Sequence, residues 1–128
     1  MRIGIFSDAY KPLISGVVTS VVTLKEGLEA LGHEVFVFCP SAPRQFMEDD
    51  KNVIRLTGVE IPTKALKGFK IIPWAKRYLP SIKKLKLDII HIHTEFTVGL
   101  LGLVVGKTQK IPMVYTLHTS YQDYTHYV

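Results

Sequence analysis

Apolar residues in this chain fall into two patterns: short, nearly unbroken runs, and longer stretches spaced by three and four. The runs cover residues 2–6, 35–40, 53–56, 87–93 and 113–117, and turn-forming residues bound them. Runs of that length read as strands covered on both faces. Between the first two, Val17 to Leu31 carries Val18, Val21, Val22, Leu24, Leu28 and Leu31 on one broad face, with Lys25, Glu26 and Glu29 opposite. That spacing predicts an amphipathic helix, and Gly32 suits the position just past its end. Phe96 to Thr108 is apolar nearly all round, which predicts a buried helix; Gly99, Gly102 and Gly106 would let it pack closely. Pro73 can open a helix at Trp74, and Pro80 then interrupts it. The expectation there is a kink, or two short helices over 74–79 and 81–86. Residues 41–52 read as a polar loop, and residues 57–70 show no regular pattern.

The resulting order, β-α-β-(β)-α-β-α-β, predicts an α/β fold: a doubly wound parallel sheet with helices on both faces. Ligands of such sheets bind at the carboxyl ends of the strands, where the strand order reverses. The first strand and the one over 87–93 are expected to flank that point. Residues 121–128 form an aromatic, polar tail with no clear helix to close the last layer. A doubly wound sheet normally covers that face, so the chain is expected to be the N-terminal part of something longer.

Composition narrows the picture. The 128 residues suit one domain, and the 47% hydrophobic content excludes a disordered chain. A single cysteine, Cys39, excludes an internal disulfide framework and fits a reducing compartment. The opening Met-Arg-Ile-Gly reads as a strand, not a signal peptide. The longest apolar run, Phe96 to Val105, is far short of the roughly 20 residues a membrane span needs. The net charge of +5 is unevenly placed, for Lys64, Lys67, Lys70, Lys76, Arg77, Lys83, Lys84 and Lys86 share one window with no acid. Such a segment points to an anionic partner.

Candidate chemistry collects at one sheet edge. Asp8 and Gly16 follow the first strand, His93, Thr94 and Glu95 the fourth, and His118 and Thr119 the fifth. Gly16 before Val17 would open the helix beside that edge, where backbone N–H groups bind phosphate. The same residues also fit an ordinary helix start with Ser15 as its cap. No dinucleotide fingerprint or P-loop is present. His91 and His93 share a strand face, and with Glu95 or His118 they could form a metal site, the basis of an alternative reading as a metal-dependent hydrolase. On helical spacing Trp74, Tyr78, Ile82 and Leu85 share a rough face, while Lys76, Arg77, Lys83, Lys84 and Lys86 cover the rest. That is the pattern of a helix lying on anionic lipid, and equally of a solvated helix whose apolar side is core. A non-catalytic membrane-surface module is therefore a further alternative. No nucleic-acid-binding motif accompanies the charge.

The run Phe6-Ser7-Asp8-Ala9-Tyr10-Lys11-Pro12-Leu13-Ile14-Ser15-Gly16-Val17, then Leu31-Gly32-His33-Glu34-Val35, resembles the start of glycosyltransferase family 4. Ile90-His91-Ile92-His93 with Gly99, and Tyr115-Thr116-Leu117-His118-Thr119, resemble the family's later signatures in the right order. Ser15 to Ser20, His93-Thr94-Glu95-Phe96 and His118-Thr119-Ser120-Tyr121 look most like its diacylglycerol glucosyltransferase branch. Many members carry Gly-Gly where this chain has Ser15-Gly16, a departure that leans toward that branch. The resemblance implies a Rossmann-like N-terminal, acceptor-side domain of a GT-B fold, with the donor-binding domain absent from this chain. It implies a retaining hexosyltransferase in the full-length protein, moving glucose from a nucleotide sugar such as UDP-glucose to diacylglycerol or another lipid, without an active-site metal or cofactor. Gly16 and Val17 would approach the donor diphosphate, His118 the reacting sugar, and Asp8, His93, Glu95 and Thr119 the acceptor or crevice wall. Trp74, Lys76, Arg77, Lys83, Lys84 and Lys86 would dock the domain on anionic membrane, at the cytoplasmic inner face. No nucleic-acid partner is implied. The 128 residues alone are expected to be inactive.

Overall fold

The computed structural model describes residues 1–42, 50–60 and 70–116. In chain order its elements are β1 (Arg2–Phe6), α1 (Gly16–Ala30), β2 (Glu34–Pro40), β3 (Val53–Leu56), β4 (Val59–Glu60) and β5 (Lys70–Ile71). A 3-10 turn over Ala75–Tyr78 leads into α2 (Leu79–Lys84), followed by β6 (Ile89–Ile92), α3 (Thr97–Gln109) and β7 (Met113–Tyr115). The main sheet runs β3-β2-β1-β6-β7, all parallel, and β4 pairs with β5 antiparallel beside it. The order reverses between β1 and β6, as expected from the element order.

Alternation along the strands builds two cores. Ile3, Ile5, Val35, Val37 and Cys39 face α1, whereas Phe6, Phe36, Phe38, Ile90 and Ile92 face α2 and α3. Phe6 stacks on Phe38 with ring centroids 4.4 Å apart, tying β1 to β2 on the second face. Such a pair adds about 1 kcal/mol beyond its buried area.

The structure corrects several sequence expectations. Lys25 is buried, not on the polar face of α1. Val18, Val21 and Lys25 stand at i, i+3 and i+7, so helical geometry carries the lysine over the sheet whatever its charge. There its ammonium binds Asp50 at 2.6 Å and Glu29 at 2.9 Å. Burial opposes the charge, but the bonds to Asp50 and Glu29 outweigh it and hold the lysine pKa above its ordinary value. Leu31 is the C-cap of α1 and exposed, because the helix has passed the sheet end by then. Two short helical pieces do form around Pro80, as expected, but the break falls before it: the 3-10 turn ends at Tyr78 and Pro80 occupies the first turn of α2, where its missing N–H costs nothing. Trp74 lies outside any helix, in the left-handed region at φ 51°. Residues 57–70 hold the short β4–β5 pair, too brief to show a period. β6 is shorter than the apolar run over 87–93 suggests, and β7 ends at Tyr115.

α3 is buried on one side only, with Leu100 and Leu103 exposed. Its glycines do allow close approach, as expected. A Cβ on Gly99 would lie 1.8 Å from the Thr94 carbonyl oxygen, and one on Gly102 would lie 2.8 Å from the Phe6 ring. No helix among the described residues is long and apolar enough to cross a membrane.

Candidate functional site

The carboxyl ends of the strands meet at one edge because pairing continues just past them. Ser7 N–H donates to the Phe38 carbonyl at 3.0 Å, His93 N–H to Phe6 at 3.0 Å, and Thr116 N–H to Ile92 at 3.0 Å. Asp8 and His93 therefore both stand at the reversal of strand order, and both are buried.

Asp8 is fully engaged there. Its carboxylate accepts Val98 N–H at 2.7 Å, Gly99 N–H at 3.2 Å, the Thr94 hydroxyl at 2.6 Å and the Thr97 hydroxyl at 3.3 Å. Its own N–H donates to Thr94 Oγ1 at 2.8 Å. Asp8 thus caps α3 from a distant part of the chain, with a negative charge at the positive helix end. Phe96, the local cap residue, has no side-chain oxygen to do this. Thr97 shares its hydroxyl proton with the Lys70 carbonyl at 3.0 Å, which ties β5 to the same corner. Sequence reasoning missed the parts played by Thr94 and Thr97; the one signal was a helix start without a capping residue at Phe96.

The entrance of α1 is different. Ser15 caps it by accepting Val18 N–H at 3.3 Å, so the ordinary helix start does form. Gly16 and Val17 supply N–H groups with no partner inside the helix. The Val17 side chain packs into the α1 core. Gly16 is exposed, and nothing lies within 4 Å of where its Cβ would be.

His91 and His93 face the α1 side, their rings 4.0 Å apart, and His91 Nε2 bonds Thr116 Oγ1 at 2.6 Å. Glu95 is exposed beyond them. Among the described residues no three His, Cys, Asp or Glu side chains are placed to hold a metal ion. His118 and Thr119 lie outside the described residues, as do Lys64 and Lys67.

From Lys70 to Lys86 the basic segment runs down the α2 side of the sheet, from the crevice edge to the opposite one. Tyr78, Ile82 and Leu85 pack on the core, so the apolar side of α2 is interior and its cations face solvent. Trp74 parts from that face and is 81% exposed. Lys76, Arg77, Lys83, Lys84 and Lys86 are all exposed. The Tyr78 hydroxyl accepts Thr57 N–H at 3.0 Å and an Arg77 N–H at 2.8 Å. Burial opposes ionisation of that phenol, but the two bonds hold its pKa below the usual tyrosine value. Val59 and Ile71, paired across β4 and β5, are 59% and 46% exposed. Val59, Ile71 and Trp74 thus stand in solvent, and the strand that holds Ile71 is tied to the crevice corner through the Lys70 carbonyl.

Comparison with known proteins agrees with this architecture. The chain is 66% identical over its whole length to the alpha-monoglucosyldiacylglycerol synthase of Acholeplasma laidlawii, and covers 32% of that protein. It is 42% identical over its whole length to the protein of that name from Streptococcus pneumoniae, covering 29% of it. A GDP-mannose-dependent alpha-mannosyltransferase of Corynebacterium glutamicum is 29% identical over 118 residues, 89% of this chain and 28% of that protein. The chain thus spans about a third of the length of the curated relatives it matches. Residues 14–128 match the family described as Glycosyltransferase Family 4, and the chain belongs to that family.

Proposed function

We propose that this chain is the acceptor-side domain of a retaining glucosyltransferase that moves glucose from a nucleotide sugar to diacylglycerol at an anionic membrane surface. The donor diphosphate would approach the Gly16 and Val17 N–H groups. There the open glycine leaves room for backbone contact, and the helix end favours negative charge. His93, Glu95 and Thr119 would line the acceptor side, with His118 beside the reacting sugar. The donor nucleotide, UDP in this reading, would be held largely by a second domain. No metal or cofactor is needed in this reading.

The observation that carries the lipid acceptor is the link between the exposed apolar edge and the crevice. Thr97 binds both Asp8, at the crevice, and Lys70, in the strand that displays Ile71. A domain resting on lipid through Val59, Ile71 and Trp74, steadied by Lys76 and Arg77, would hold its crevice at the membrane surface. Each such cation contributes about 1 kcal/mol near anionic lipid, and an exposed tryptophan suits the interface. Lys83, Lys84 and Lys86 would add attraction farther along.

The test is transfer of labelled glucose from UDP-glucose to diacylglycerol in mixed micelles by the full-length protein. Formation of an α-glucosyl lipid is expected; full-length folded protein that makes none overturns the acceptor reading. Trp74→Ala is expected to leave thermal stability unchanged and weaken sedimentation with vesicles containing phosphatidylglycerol. Unchanged sedimentation would remove that edge from the membrane contact.

A further inference from the structure

We propose a second site, for a phosphate group, in the cleft between the C-terminal ends of α2 and α3. It lies at the opposite edge of the sheet from the crevice, and the acceptor's identity does not bear on it. The cleft has a volume of about 270 Å³, and Lys83, Lys86 and Lys110 stand around it. Leu87 and Ile111 lie at the starts of the chain segments leading into β6 and β7, and also line it. That volume is just under the ~300–1,000 Å³ of drug-sized ligand sites, so it suits a phosphate with its first substituent.

Among the described residues no carboxylate pairs with these lysines. The described ion pairs involve Arg2 with Glu34, and Lys25 with Glu29 and Asp50, and none of the three cleft lysines. The acid adjacent to Leu87 in the chain, Asp88, accepts Arg2 N–H at 2.7 Å and does not line the cleft. Two helix C-termini point here, each worth at most about half a negative charge. Three lysines exceed that, leaving roughly two positive charges around an open cleft. Gln109, which lines the cleft, donates to the Leu79 carbonyl at 3.3 Å and so ties the end of α3 to the start of α2.

The backbone adds an independent observation. Lys86 and Lys110 both adopt left-handed conformations, at φ 52° and φ 56°. These positions follow helix ends, where glycine is the usual residue and a side chain costs about 1 kcal/mol or more. Both helices that border the cleft keep a lysine at this position. Strain held at two adjacent termini, each placing a lysine on the wall of the same cleft, is accounted for if the cations hold a ligand.

The phosphate could belong to a soluble phosphate ester or to an anionic lipid headgroup, and two arms separate these. In full-length protein, binding of glycerol 3-phosphate at constant ionic strength is followed by calorimetry. Binding to phosphatidylcholine vesicles with and without phosphatidylglycerol is followed by sedimentation. The variants are Lys86→Gly and Lys110→Gly, which remove an ammonium while relaxing the backbone, so the fold is not endangered. Lys107→Ala, an exposed lysine of α3 outside the cleft, makes the same charge change. Tenfold or greater weakening of glycerol 3-phosphate binding in both glycine variants, with less than twofold in Lys107→Ala, supports a soluble phosphate ester. The same contrast confined to phosphatidylglycerol vesicles supports a headgroup. If the glycine variants match Lys107→Ala in both arms, the lysines supply only diffuse charge and the site is overturned.

Discussion

Removing the Asp8 carboxylate should loosen α3 from its N-terminal end. In Asp8→Ala the Thr97 hydroxyl keeps the Lys70 carbonyl as partner, and Thr94 Oγ1 still accepts the residue 8 N–H. What is left without an acceptor is Val98 N–H and Gly99 N–H, both on buried residues, and the hydroxyl proton of the half-buried Thr94. Each unsatisfied buried donor costs about 1–3 kcal/mol, and loss of a charge at the helix end costs up to about 1 kcal/mol more. Water entering the vacated space lowers the sum, so about 3 kcal/mol is expected. Asp8→Asn keeps one acceptor oxygen but turns an amide N–H toward a backbone N–H, and should fall between. The assay is amide hydrogen exchange by mass spectrometry on the full-length protein, comparing peptides that span residues 96–106 and 17–30. At about 1.4 kcal/mol per tenfold, exchange in the α3 peptide should rise on the order of 100-fold in Asp8→Ala, with the α1 peptide unchanged. A rise of less than about threefold would mean that the carboxylate does not hold the helix, and Asp8 would return to the candidates for acceptor contact.

Gly99→Ala places a methyl 1.8 Å from the Thr94 carbonyl oxygen, in backbone that cannot yield. A loss of about 3 kcal/mol or more is expected, read as a lower unfolding midpoint in urea, and an unchanged midpoint would contradict that contact. Gly16→Ala meets nothing within 4 Å; thermal stability should hold or rise slightly, while KM for the nucleotide sugar rises about tenfold. An unchanged KM would remove Gly16 from the donor contact. The Lys25–Asp50 pair fixes a pH dependence. The folded pKa of Lys25 is raised above 10.5, so its contribution is complete below that and fades as pH climbs through the raised value. For Asp50 the hydrogen bond from Lys25, then that from Asn52 N–H, depress the pKa below 3.8, so its contribution is complete above that and fades as pH falls through the lowered value. The stability difference between wild type and Lys25→Met should therefore be flat from about pH 4 to pH 10 and shrink on either side. A difference independent of pH would break the assignment.

The sheet and its two layers were legible because unbroken apolar runs and spaced apolar faces leave few arrangements open, and Gly32, Pro73 and Pro112 punctuate them. Residue type misled where spacing was the better guide. Lys25 is a charged residue by type but stands on the core stripe with Val18 and Val21, and its partner Asp50 is 25 residues away. The strands β4 and β5 are two residues each, and a period cannot be read from two positions. Trp74 was placed on the α2 face by counting in helical steps, which fails because its backbone is left-handed and the helix starts later. Asp8 could be placed at the edge from its position after β1. Its engagement with α3 could not, because capping across 90 residues depends on the sheet bringing β1 beside β6.

Two long helices begin at this sheet edge, and their N-termini are chemically unlike. That of α3 is closed by an internal carboxylate that takes its first free N–H groups and neutralises its positive end. That of α1 is capped only by the neutral Ser15 hydroxyl and begins with a glycine open to solvent. A phosphate arriving at the crevice would be repelled by Asp8 at the first and meet free N–H groups at the second. On the proposed reading, Asp8 would therefore bear on ligand binding without touching a ligand. It joins the β6–α3 turn, with His93 and Glu95, to the end of β1, and directs negative charge toward Gly16. On this argument Asp8→Asn and Gly16→Ala should differ in kind. The first would relax where an anion sits, and the second would block its closest approach while leaving the edge intact.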